Sequence, residues 1–405
     1  MSTTGRRTFP WDLARSAMDG CVEPMFRTFA LVVAIQFFHC SVIEKSVIAS
    51  SLAVGHILSL VYSSMSGLWF RRRSIQTFVP YVGIAGGALL GAMAPSGLLF
   101  ALGILLVGAC YSLRFPSLIA IYRENYRGIV RGQILGLATL TLTILSLVVN
   151  YTGGMWLDAH IKNFRILFVL VAAAAALGAF SALNIPCGII TTRRVDPPSA
   201  YIRVLKQHSV FGFVLASWFI FGIANLAMIP QQFEFLSGEQ YGFNLSPGAI
   251  ALLIGVVPLI TQVFCTQLWA RLFDRFSFIT VRILMNAFWI AYMVFFFNTS
   301  SLSVVALASC CQGVGLAGGS IAWNLWVTKF ADPEDTAKYM AIHTFLTGVR
   351  GLIGPYIAYV YVRGFSIQSA SWIGAFLMLV STVMLVPLRG QSTRRKNGSA
   401  STQTQ

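Results

Sequence analysis

The chain has 405 residues, 56% of them hydrophobic and only 10% charged, with a mean hydropathy of +0.73. A soluble domain carries about 25% charged residues, so this composition excludes an ordinary globular protein and points to one solvated by a bilayer. The net charge of +16 would suggest nucleic acid in a soluble protein, but here the basic residues sit in short gaps between apolar runs, so topology accounts for them and no nucleic-acid partner is expected.

The apolar runs are each about twenty residues, the length of a spanning helix. The alternating ~10-residue segments of a membrane barrel are absent. Twelve spans are predicted, at 14–39, 47–70, 75–94, 98–121, 130–151 and 165–184, then 210–230, 248–270, 278–297, 302–326, 339–361 and 369–387. The expected organisation is a cytoplasmic N-terminal tail (1–13), a six-helix bundle (14–185), a basic central loop (186–209), a second six-helix bundle (210–388) and a disordered cytoplasmic tail (389–405). No removable signal peptide is expected at the N-terminus, where no short apolar stretch runs into a small-residue cleavage site.

Helix one poses the first question. Its uninterrupted apolar run, 28–43, has sixteen residues, fewer than the ~20 a span needs. The helix must therefore begin earlier and draw in Arg27, Glu23 and Asp19, spaced i, i+4, i+8 on one face. An ionisable group at that depth costs at least ~2.5–3.5 kcal/mol unless it meets water or a partner. Glu23 is the candidate proton or cation site, Arg27 a substrate or partner charge, and Asp19 either a further substrate or coupling group facing the cavity or an interfacial one. Pro24 removes a helix hydrogen bond here and should kink the helix. Further along, His56 in helix two reads as structural. Arg114 in helix four, about seven residues from the loop, is a candidate substrate or coupling residue or else a snorkelling arginine, and Pro116 beside it points to an irregular, inward-facing stretch.

In the second half, helix seven carries Gly222 and Asn225, and helix ten carries Gln312, Trp323 and Asn324 beside glycines suited to close packing. Helix eleven carries His343, Thr347 and Arg350, a polar stripe at i, i+4, i+7 beside Gly348, Gly351 and Gly354. Arg350 is read as a charge facing a central cavity, and His343 as either a proton relay or an interfacial histidine. The seven cysteines form no spaced metal pair and read as packing residues. No catalytic motif, metal or cofactor is expected.

Orientation follows from the basic residues. With twelve spans both termini share a side. That side carries 22 of the 29 Lys and Arg, including Arg6, Arg7, Arg15, Arg71 to Arg73, Arg123, Arg127, Arg131, Arg271, Arg275, Arg282 and Arg389. The other side carries Lys45, Lys162, Arg165 and Arg363. The positive-inside rule makes the termini cytoplasmic. Arg27, Arg114 and Arg350 fall within spans.

The chain also repeats. "SGLWFRRRSIQTFV" after helix two and "LWARLFDRFSFITVR" after helix eight lie about 203 residues apart, and shifting Gly222 and Asn225 by 202 gives Gly20 and Glu23. With these features the chain resembles the major facilitator superfamily of secondary transporters over nearly its whole length. "HTFLTGVRGLIGPYIAY" and "YRENYRGIVRG" are most similar to a loosely characterised bacterial group of that superfamily. The resemblance implies an all-α membrane protein of two pseudo-symmetric six-helix bundles, a monomer in a bacterial cytoplasmic membrane. The family's gating motif after helices two and eight matches Ala270, Asp274 and Arg275 in the second copy. In the first, Gly67 fits but Arg71 stands where the family has an acid. The implied function is alternating-access transport of a small solute through a site at mid-bilayer. Three intramembrane arginines against two acids point to an anionic or zwitterionic solute, with protons as the coupling ion through Glu23. The alternative is a transporter-like sensor or assembly factor without turnover.

Overall fold

A computed structural model describes residues 3–189, 198–326, 330 and 336–389, with the side chains at 60, 63–68, 128–129, 131, 198–202, 274, 323–325 and 336–338 outside the description. Twelve long helical units follow one another. In the first half they are α1 (Thr3–Pro24, a π-helical turn Met25–Phe29, then Ala30–Gln36), α2 (Val42–Ala49 and Ser51–Trp69), α3 (Arg73–Met93), α4 (Gly97–Leu113 and Phe115–Asn125), α5 (Gly128–Ala159) and α6 (Phe164–Leu183). In the second they are α7 (Ser209–Met228, extended by Gln231–Ser237), α8 (Pro247–Ile250, a π turn Ala251–Val256, then Val257–Arg275), α9 (Phe278–Phe297), α10 (Leu302–Leu325), α11 (Thr336–Gly364) and α12 (Ile367–Leu385, ending in the 3-10 turn Val386–Arg389). A short helix, Pro198–Gln207, lies in the predicted central loop.

Ten of these units are long and apolar enough to cross a membrane, eleven when the bent α2 is taken as one span. The remaining unit is α1, whose first segment carries Arg6, Arg7, Asp12, Arg15, Asp19 and Glu23. The expectation of a tail at 1–13 is corrected here: α1 is already helical at Thr3, because Asp12 and Arg15 find partners inside the bundle, as set out below. Glu44, which ends the apolar run 28–43, opens α2. Its carboxylate accepts from the Ser41 N–H at 2.7 Å while Ser41 caps the helix in return. On that same side, Arg165 donates to the carbonyls of Ala92 (2.7 Å) and Ala94 at the C-terminal end of α3.

The duplication read from the sequence is built into the packing. In the first half α1 packs on α5 and α6, α2 on α4, and α3 on α4 and α6; in the second α7 packs on α11 and α12, α8 on α10, and α9 on α10 and α12. Each pair maps onto its counterpart by six helices. Both α2 and α8 are irregular at the equivalent place: α2 bends by 49° at Ser50, and α8 runs through its π turn at Ala251–Val256. The halves meet along α2 with α11 and along α5 with α8. Glycine permits this approach: a Cβ at Gly348 would lie 2.6 Å from Ile57, and one at Gly154 would lie 2.9 Å from Ala251.

Polar ties between the halves cluster on the side opposite the termini. Lys45 pairs with Glu234. Gln36 donates to Ser237 (3.3 Å) and to the Leu245 carbonyl (3.1 Å). The Gly248 N–H donates to Asp158 at 2.6 Å. The structure is therefore closed on that side.

Candidate functional site

Pro24 has no N–H to complete the α-helical ladder, and the helix beyond it widens into the π turn Met25–Phe29. Such turns are frequent at functional sites. This one sets the register of Glu23 and Arg27, which form an ion pair at 2.5 Å. The Ser146 hydroxyl on α5 lies 3.3 Å from the Glu23 carboxylate. Arg27 keeps 54% of its side chain exposed and lies within electrostatic range of His56 on α2, as does Arg350. His56 thus has a cation from each half in its neighbourhood.

Arg350 on α11 is 9% exposed. Its Nη1 donates to the Trp218 carbonyl and its Nη2 to the Thr347 hydroxyl at 3.0 Å, while Nε is buried without an acceptor. It fits because α7 has glycine opposite: any Cβ at Gly222 would collide with the guanidinium. His343, two turns away toward the termini, is 1% exposed and packed between Trp218 and Trp326 at 4.7 and 5.0 Å. Its placement is in the core of the second half, not at the membrane surface. Asn225, two turns beyond Trp218 on α7, has a buried side-chain oxygen with no donor.

Sequence reasoning missed Arg282. It was counted with the loop arginines, although it falls within the predicted span 278–297. In the structure Ser277 caps α9, so Arg282 sits inside the helix, 8% exposed. Its guanidinium lies 4.3 Å from the Trp218 ring centre and 4.9 Å from that of Phe221, within electrostatic range of Arg350.

Asp19 and Arg114 stand elsewhere. Asp19 is 2% and Arg114 0% exposed, enclosed between α1, α3 and α4. Arg114 pairs with Asp19 and donates to the Tyr81 hydroxyl, which itself donates to Asp19 at 2.5 Å. Arg15 closes the other side, bonded to Asp19 at 2.5 Å and to Asp12 at 2.9 Å. Tyr122 donates to Asp12 at 2.9 Å. At the end of this network burial, aided by Asp12, holds the Tyr126 hydroxyl above its ordinary titration range. Asp19 is thus no interfacial group, and Arg15 no loop residue. Both expectations fail because the partners that draw these charges inward are far away in sequence.

Of the gating motif, Arg71 is exposed, and the ion pair in its neighbourhood is made by Arg73 with Glu124 at 2.6 Å. Ala270 is half-buried and Arg275 exposed. The side chains of Asp274 and Asn324, and the surroundings of Gly67, lie outside the described residues.

Residues 208–404 match the family model of the Major Facilitator Superfamily. The chain also superimposes along its length on solved structures: a point mutant of the nucleoside transporter NupG (14% identity, 94% of this chain and 99% of that one, TM-score 0.74), the D-xylose-proton symporter (14%, 93% and 96%, 0.70) and the human organic anion transporter TETRAN (14%, 94% and 99%, 0.63). The second half of the chain thus matches the superfamily's model, and the whole chain shares the fold of these structures. No curated protein sequence matches it.

The two halves of the chain fill equivalent crevices differently. Between α1, α3 and α4, two arginines face two aspartates and the charge cancels. Between α7, α9 and α10, with α11 alongside, lie Arg282 and Arg350, and among the described residues neither forms an ion pair. A pair of buried cations without a counter-ion costs several kcal/mol. Sites that bind charged ligands are where such a cost is retained.

Proposed function

We propose that this protein is a secondary transporter that moves a small anionic organic solute by alternating access, through a site between its halves built from Arg27, Arg350, Arg282, His56, Thr347 and Asn225. The observation that carries this reading is the uncompensated pair Arg350 and Arg282. An anion arriving there supplies the missing charge and hydrogen-bond acceptors together. The Asp19–Arg114 cluster is read as structural, since its own charges already cancel. We place the protein in a bacterial cytoplasmic membrane with both termini cytoplasmic, on the basic-residue asymmetry. Closure opposite the termini then corresponds to an inward-facing state.

Glu23 and Arg27 supply a route for coupling. In the structure they pair with each other. A substrate anion that takes Arg27 leaves Glu23 without its cation, and the carboxylate then gains from accepting a proton. Anion and proton would bind together and leave together.

The test is uptake by purified protein in proteoliposomes. Arg350→Gln is expected to weaken apparent affinity for the transported anion by at least about tenfold, the scale of losing a buried charged contact. Unchanged affinity would remove Arg350 from the site. Glu23→Gln is expected to retain exchange of labelled solute across the membrane and to lose accumulation driven by a pH gradient. Identical accumulation with and without that gradient in wild type and variant would end the coupling role.

A further inference from the structure

Resting on the anion-transport reading, we propose that the second half recognises one compact group bearing two negative charges, a phosphate or sulfate ester of the solute, held between Arg282 and Arg350 against Trp218. The two guanidinium groups converge on one residue. Arg350 donates to the Trp218 carbonyl, and Arg282 lies 4.3 Å from the centre of the Trp218 ring. Around them four buried donors have no partner, Arg282 Nε, Arg350 Nε, Trp218 Nε1 and Trp326 Nε1, beside the open acceptor oxygens of Asn225 and Asn286. Guanidinium and indole groups cannot accept hydrogen bonds, so these donors cannot satisfy one another, and each buried donor left open costs about 1–3 kcal/mol.

Charge sets the class of occupant. A monocarboxylate neutralises one arginine and leaves the other. A dicarboxylate with separated ends spreads its charges apart, whereas these two cations meet at a single tryptophan. A tetrahedral oxyanion carries two charges and several acceptor oxygens in one group, which matches two cations and four open donors. The equivalent crevice of the first half shows the contrast. There the chain's own Asp12 and Asp19 supply the two negative charges to Arg15 and Arg114. In the second half a ligand supplies them.

The experiment is a titration of the full-length protein in detergent, read by thermal stability and calorimetry. The probes are sulfate, inorganic phosphate, glycerol phosphate, acetate and succinate at matched ionic strength. Sulfate and phosphate are expected to stabilise saturably, and acetate and succinate to do so at least tenfold more weakly. Arg282→Gln should weaken sulfate binding by about tenfold or more, with Arg282→Lys intermediate because it keeps the charge and loses the planar fork. Tighter binding of glycerol phosphate than of phosphate assigns the site to an organic ester; the reverse assigns it to the free ion, and either supports a dianion site. The proposal is overturned if acetate or succinate binds as tightly as sulfate, if no probe saturates, or if Arg282→Gln binds sulfate like wild type. If Arg282→Gln does not fold, the selectivity of the wild-type protein decides. Transport of a monocarboxylate that depends on Arg350, without sulfate binding, would retain the transport reading and reject this one.

Discussion

Asp19→Leu is expected to destabilise the protein by about 3–5 kcal/mol, the cost of removing one partner from a buried ion pair. The substitution leaves Arg114, fully enclosed, with only the Tyr81 hydroxyl and the Tyr111 carbonyl as polar partners. It leaves Arg15 sharing Asp12 with Tyr122. The melting temperature in detergent should fall steeply. Asp19→Leu combined with Arg114→Leu should recover much of the loss, because an apolar pair of similar volume replaces a buried ion pair at little cost. A single variant that melts with wild type, or a double variant worse than the sum of its parts, would show that the cluster does not work as a neutral unit.

The same logic gives a different outcome in the second half. Among the described residues Arg350 has no counter-ion, so Arg350→Gln should cost little stability while it costs affinity. Residues retained against stability are the ones selection keeps for function. The contrast between Asp19 and Arg350 therefore separates two kinds of buried charge that look alike in the sequence.

How far each was legible follows from what periodicity can carry. Arg350 stands out because it interrupts an apolar helix far from either end. Glu23 and Arg27 were recoverable from span length, since 28–43 alone is too short to cross. Gly222 and Asn225 pointed to the right face of α7, but the meaning of Gly222 depends on Arg350, 128 positions later. Arg15 and Arg282 were lost for one reason. An arginine within a turn or two of a span's end can turn outward to the headgroups or inward to a partner, and its own neighbours do not say which. The partners that decide are Tyr122 and Trp218, remote in the chain and reached only through the fold. The twelve-helix plan and its duplication were legible because apolar length and basic asymmetry are local signals repeated in each half. The network of α1 was not, because Asp12 and Arg15 at i, i+3 read equally well as a solvated leader.

Lys45→Ala is expected to shift the protein toward a state open on the side opposite the termini by roughly 5- to 30-fold, equivalent to about 1–2 kcal/mol. Lys45, at the start of α2, pairs with Glu234 beyond the end of α7 and lies 5.1 Å from the ring centre of Tyr359 on α11. Both side chains of the pair are mostly buried, at 15% and 22% exposure, so solvent screens them less than a surface pair, though not negligibly. The contact joins the two halves at the closed side, and rocking the halves apart must break it. It therefore stabilises one conformation selectively, which is what a shift in population requires. On a cysteine-free background, a reporter cysteine at Asn225 should react faster with a membrane-impermeant thiol reagent applied opposite the termini when Lys45→Ala or Glu234→Gln is present. The charge exchange, Lys45→Glu with Glu234→Lys, should return the rate toward wild type. Equal labelling in all four proteins would mean that the Gln36 and Asp158 contacts hold this side closed without the ion pair.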